Sequence, residues 1–248
     1  MADTISIACC NTLPVGEPDT AVGLDFDRAA GIDLYVTGNK SSKRGVVLVY
    51  DIFGLYPQTK QGANLLAREV DGVVIVPDFF EGQAADISWL PMDTEEKKTK
   101  LMGFFAEKAN PVDNLNKLLA VMKEAKLSYP SVEKWAILGL CWGGKVAVLA
   151  SGSQSLFAVS GQAHPSLLDV LDAKAITIPH ICLASPEEPA AVIELYANSL
   201  DKERAEFETY DTMFHGWMGA RANLQDRRNA EEFDRGYKQV ATFFRLWL

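Results

Sequence analysis

Apolar positions along the chain fall into short continuous runs separated by stretches of helical periodicity. This is the pattern of strands buried on both faces alternating with covering helices. Gly45-Val-Val-Leu-Val-Tyr50 and Val73-Val-Ile-Val-Pro77 are two such runs. Between them, residues 58–70 place Ala63, Leu66, Ala67 and Val70 at helical spacing, so strand, helix and parallel strand make one βαβ unit. Residues 32–37 alternate apolar and polar and predict a strand near an edge. The same reading predicts strands over 135–140, 156–160, 178–184 and 205–210. It predicts helices over 93–109 and 112–127, split at Asn110-Pro111, then over 145–150 and 190–200, with a long amphipathic closing helix over 228–246. Pro14, Gly16, Pro18, Gly23 and Gly31 break up the first 31 residues, which read as a loop-rich N-terminal arm. No repeat or linker interrupts the rest. Residues 1–248 are therefore expected to form a single α/β domain, a mostly parallel sheet with helices on both faces.

In such sheets ligands gather at the carboxyl ends of the strands. The predicted ends carry Asp51, Asp78, Cys141, His164, Glu187, Glu188 and His215. One end stands out. In Trp135-Ala-Ile-Leu-Gly-Leu-Cys141-Trp-Gly-Gly-Lys145 a strand runs into a G-x-C-x-G turn and then a helix, the thiol form of the nucleophile elbow. Gly139 and Gly143 remove the Cβ atoms that would clash as strand and helix pass. The turn lifts the sulfur above the sheet and aims the first helix N–H groups at the same point, where they favour a thiolate and a developing oxyanion.

A thiol nucleophile needs a base and a group to orient it. His215 follows the last predicted strand, after Cys141 in chain order, and fits the base. The orienting acid should follow residues 178–184. Glu187 and Glu188 stand there, with no Asp; either could hold the imidazole, and Glu188 is taken first, as the third catalytic residue, with Glu187 behind it. Asp51 ends a central strand, where it could tune the thiol or cap the following turn. The N–H of its neighbour Ile52 and that of Trp142 are candidates for an oxyanion hole. Asp51, His164, Trp217 and Arg221 are candidate substrate contacts, Arg221 for an anionic group. The aromatic residues Phe79, Phe80, Trp89, Trp142 and Trp217 suggest a pocket for an apolar or aromatic ligand.

A net charge of −9 disfavours nucleic acid and anionic membranes as partners, and no apolar run is long enough to span a bilayer. The N-terminus shows no secretory signal, and the four cysteines at 9, 10, 141 and 182 do not make a disulfide framework. A reduced, cytoplasmic setting is expected. Cys9-Cys10 lacks further ligands at metal-binding spacing, so no metal or other cofactor is expected. The expected partner is a small-molecule substrate, with a homodimer left open.

These motifs resemble the dienelactone hydrolase family of the α/β-hydrolase superfamily, its fungal-type branch in particular. The resemblance rests on Asp51-Ile-Phe-Gly54, Val76-Pro-Asp78, Gly139-Leu-Cys-Trp-Gly-Gly144, Ala163-His-Pro-Ser166 and His215-Gly-Trp217, from about residue 20 to the C-terminus. It implies cleavage of a lactone or ester by a cysteine nucleophile without a metal, Cys141 and His215 as catalytic residues, and the Ile52 and Trp142 amides as the oxyanion hole. Asp51 falls where dienelactone-cleaving members carry a Glu that contacts the resting thiol. The family's catalytic Asp falls at Pro189 here, and its substrate-carboxylate arginines have no clean match. A hydrolase of a small lactone or ester is thus the first expectation. The second is a relative that isomerises, cyclises or binds a small aromatic metabolite in a biosynthetic pathway.

Overall fold

In a computed structural model, which describes residues 13–16 and 26–248, eight strands form one sheet. They are β1 (Phe26–Ala29), β2 (Ile32–Gly38), β3 (Arg44–Val49), β4 (Val73–Pro77), β5 (Lys134–Leu140), β6 (Val159–Ala163), β7 (His180–Ala184) and β8 (Ala205–Thr209). Their order is β1-β2-β4-β3-β5-β6-β7-β8. The β1–β2 and β2–β4 pairs are antiparallel, and every other pair is parallel. The βαβ unit is present: β3 and β4 pair in parallel around α1 (Pro57–Val70).

Consecutive residues Val46 to Val49 and Val73 to Val76 are all fully buried, so the central strands are covered on both faces. On one face α1 packs against α7 (Arg227–Arg245), and both lie on the sheet. On the other, α3 (Pro111–Ser128) packs against α4 (Trp142–Leu149), which lies on β3, β5 and β6. The Asn110-Pro111 break separates α2 (Glu95–Glu107) from α3: Pro111 opens α3, and the Asn110 side chain accepts from the Val112 and Asp113 amides. α5 (Val170–Ala175) and α6 (Ala190–Ser199) pack together near β7 and complete the fold. No helix among the described residues is long and apolar enough to cross a membrane.

Three elements differ from expectation. The end of the supposed loop-rich arm, residues 26–29, is β1. It joins β2 through Ala30 and Gly31, both at positive φ, a two-residue hairpin turn that Ala30 disguises in the sequence. The arm's residues 1–12 and 17–25, Cys9 and Cys10 among them, lie outside the described residues. β6 starts at Val159 instead of 156 and continues through Ser160, Gly161 and Gln162, which read as a strand end. These polar side chains are buried because they bond within the core: Ser160 Oγ to His180 Nδ1 at 2.8 Å, Gln162 Nε2 to the Tyr196 hydroxyl at 2.7 Å. The short helix α5 carries too few periods to read.

Candidate active site

Strand register brings the candidate residues together. Val49 pairs with Gly139 and Leu140 with Ala163, so Asp51, Cys141 and His164 leave three neighbouring strands at one level. The Cys141 N–H still bonds Ala163 O at 3.0 Å, and the His164 N–H bonds Leu183 O at 2.7 Å. Glu188 and His215 enter from the turns after β7 and β8. All five side chains are buried, Cys141 at 3% and His215 at 1% exposure.

The elbow has the geometry its glycines imply. Cys141 sits at φ 52°, ψ −113°, a conformation side chains rarely adopt. A Cβ on Gly139 would collide with the Gly143 carbonyl, and one on Gly143 with the carbonyls of Val49 and Tyr50. Trp142 is the first residue of α4, so its N–H has no carbonyl one turn back to bond. Ile52 follows Asp51 at the end of the adjacent strand. The Trp142 and Ile52 amides thus come from two elements that meet at the Cys141 turn.

His215 links the sulfur to an acid. Its Nε2 lies 3.1 Å from Cys141 Sγ, and its Nδ1 lies 2.7 Å from Glu188 Oε1. The structure separates the two glutamates, of which the sequence reading puts Glu188 ahead of Glu187. Glu188 is buried against the ring, whereas the exposed Glu187 accepts the backbone N–H of His215, at 2.9 Å. Glu188 is fixed by Ser185, whose N–H donates to Oε2 and whose hydroxyl donates to Oε1 at 3.1 Å. Sequence reasoning missed Ser185, although Ser185-Pro-Glu-Glu188 has capping-box spacing, in which a Glu reaches back to a backbone N–H three residues earlier. Burial would pull the His215 imidazole down. The Cys141 sulfur and the Glu188 carboxylate outweigh burial and raise it to about 9.

Asp51 is a brace. Its Oδ1 accepts from the Phe53 N–H at 3.0 Å and its Oδ2 from the Ala220 N–H at 2.9 Å, tying the Ile52 turn to the loop that carries His215. Burial raises its pKa against the pull of those amides, Arg221 and His215. Arg221 lies beside it, buried, with its guanidinium 5.3 Å over the Phe53 ring and Nη1 3.4 Å from the His215 carbonyl. The His164 ring meets the His215 ring edge-on at 5.3 Å between centroids.

The expected aromatic pocket is a correction. Trp142 packs with Tyr50, Phe79 and Phe80 in the core and donates Nε1 to Ala109 O at 2.7 Å. Trp217, expected to contact substrate, is fully buried, stacks on Tyr210 at 4.4 Å and packs against Gly236 of α7. Apolar rings in loops beside a sheet are worth more as core than as pocket wall. Among the described residues, no group of three or more His, Cys, Asp or Glu side chains could hold a metal.

Comparison with known proteins agrees with this architecture. The dienelactone hydrolase family model matches residues 32–247. Two AIM2 family proteins of Schizosaccharomyces pombe are 34% and 36% identical; the first alignment covers 91% of each chain and the second 87% of each. A putative dienelactone hydrolase from Klebsiella pneumoniae shares the fold at a TM-score of 0.66 and 17% identity, over 86% of this chain and 92% of that one. Such a fold and a family match over most of the chain have one reading: this chain belongs to the dienelactone hydrolase family, within the α/β hydrolases.

Proposed function

We propose that the chain hydrolyses a small lactone or ester through a thiol nucleophile and an acyl-enzyme. The observation that carries this is the continuous buried relay from Glu188 through His215 to Cys141. In this reading, the Cys141 sulfur, with its proton on His215, attacks the substrate carbonyl. The carbonyl oxygen takes up the negative charge within reach of the Ile52 and Trp142 amides. Collapse breaks the C–O bond, and the His215 imidazolium gives its proton to the departing alkoxide. The neutral imidazole then takes a proton from water, whose oxygen attacks the thioester. The thiolate leaves and the acid is released. Glu188 holds Nδ1–H and so keeps Nε2 facing the sulfur. No step calls for a metal.

The test is turnover of an activated aryl ester and a panel of small lactones by wild type and Cys141→Ala. Wild-type turnover, reduced in the variant by about 10³-fold or more, is the expected result. Equal activity of the two proteins would remove Cys141 from the mechanism.

A further inference from the structure

His164 is a buried side chain at the site that the relay does not use. Neither of its ring nitrogens has a hydrogen-bond partner among the described residues, although the residue is completely buried. Its backbone is at φ 38°, a strained conformation for a residue with a side chain. An unsatisfied imidazole and a left-handed backbone each cost stability, and both fall on the residue beside Cys141 on the neighbouring strand. An apolar side chain in that space would remove the first cost. Burial, with His215 and Arg221 nearby, holds the ring well below the ordinary histidine range. The imidazole is therefore neutral, with one N–H donor and one acceptor to offer.

The charges around it narrow what it could bind. Asp51 and Glu188 are acidic, Arg221 is basic, and His215 shares its proton with the Cys141 sulfur. Arg221 and Asp51 act on each other, so the site holds no surplus positive charge for a carboxylate substrate. The whole chain, at −9, adds to that bias.

We infer that His164 is a specificity residue that hydrogen-bonds an uncharged hydroxyl on the acyl part of the substrate, so that the site prefers neutral hydroxylated esters or lactones to carboxylate-bearing ones. This rests on the hydrolase reading above for its kinetic test and on binding alone for its second test.

The kinetic test compares phenyl 3-hydroxybutyrate, phenyl butyrate and phenyl hydrogen succinate. Wild type should favour the hydroxy ester over the deoxy ester in kcat/KM by about tenfold or more, with the carboxylate ester last. His164→Phe should bring the hydroxy-to-deoxy ratio to near one, and His164→Gln, which keeps a donor and an acceptor, should restore part of it. A ratio near one in wild type, a ratio unchanged in His164→Phe, or preference for the succinate ester would overturn the inference. The second test needs neither turnover nor a variant. The chain has three histidines, so ¹⁵N-histidine NMR resolves each ring. A neutral hydroxy-lactam, 3-hydroxy-2-pyrrolidinone, should shift the His164 nitrogens, and 2-pyrrolidinone should leave them in place. No shift with the hydroxy-lactam overturns the inference. A shift in a protein that cleaves none of the esters sinks the hydrolase reading and leaves the recognition role standing.

Discussion

At the scale of single residues, the distinction between Glu187 and Glu188 carries the chemistry. Both carboxylates touch His215, one at its backbone and one at its ring. Only the ring contact raises the imidazole and sets its tautomer. In the proposed mechanism the imidazolium is the acid that serves the leaving group, so that acid is present below about pH 9 and lost above it. Glu188→Gln should therefore lower kcat by about 10²- to 10⁴-fold and move the alkaline limb of the pH–rate profile toward neutrality. Glu187→Gln should cost less than about tenfold and leave that limb in place. Steady-state kinetics from pH 5 to 10 decides, and equal effects of the two substitutions would reject the assignment. Cys141 and His215 were legible in the sequence because the elbow glycines and chain order mark them. Glu188 was placed ahead of Glu187 but not separated from it, because two adjacent glutamates differ only in which way the 185–188 turn directs them. That turn is set by Ser185 binding the Glu188 carboxylate, a contact that no periodicity encodes. Trp142 and Trp217 misled for a related reason: composition shows an aromatic residue near the site, but not whether its ring faces the site or the core.

At the scale of elements, the strand–turn–helix at β5 and α4 is held by contact between backbones. The Cβ atoms missing from Gly139 and Gly143 would meet main-chain carbonyls, which cannot swing aside as a side chain could. Gly139→Ala or Gly143→Ala should thus destabilise the fold by about 3 kcal/mol and misplace the Cys141 sulfur. Gly103, in the middle of α2, has open space where its Cβ would be. Gly103→Ala should raise stability by about 0.5–1 kcal/mol through helix propensity. Urea unfolding of the three variants tests both signs, and a neutral Gly143→Ala would refute the steric account. The central strands were legible for the same physical reason that makes this region rigid, because burial on both faces demands unbroken apolar runs. β6 was displaced in the sequence reading because its polar residues satisfy one another inside the core, through Ser160, Gln162, His180 and Tyr196.

At the scale of the whole molecule, the buried histidines make stability depend on pH in opposite directions. His180 is completely buried, and burial lowers its pKa to about 3 from 6.5. Below pH 6.5 the unfolded chain takes up a proton there that the folded chain refuses. The contribution of His180 is therefore complete above 6.5 and is lost as pH falls toward about 3. His164 acts in the same direction. His215, raised to about 9, does the reverse: its contribution is complete below 6.5 and is lost as pH rises through about 9. The His180 and His215 terms are each on the order of 3–5 kcal/mol, so thermal stability should peak near pH 6–7 and fall on both sides. The Cys141 sulfur leads the causes that raise His215, so Cys141→Ala should flatten the alkaline limb and spare the acid one. Calorimetric Tm values from pH 4 to 10 for wild type and Cys141→Ala measure this without any substrate. If the variant keeps the wild-type alkaline slope, the sulfur and the imidazole do not share a proton, and the resting pair on which the proposed mechanism starts is absent.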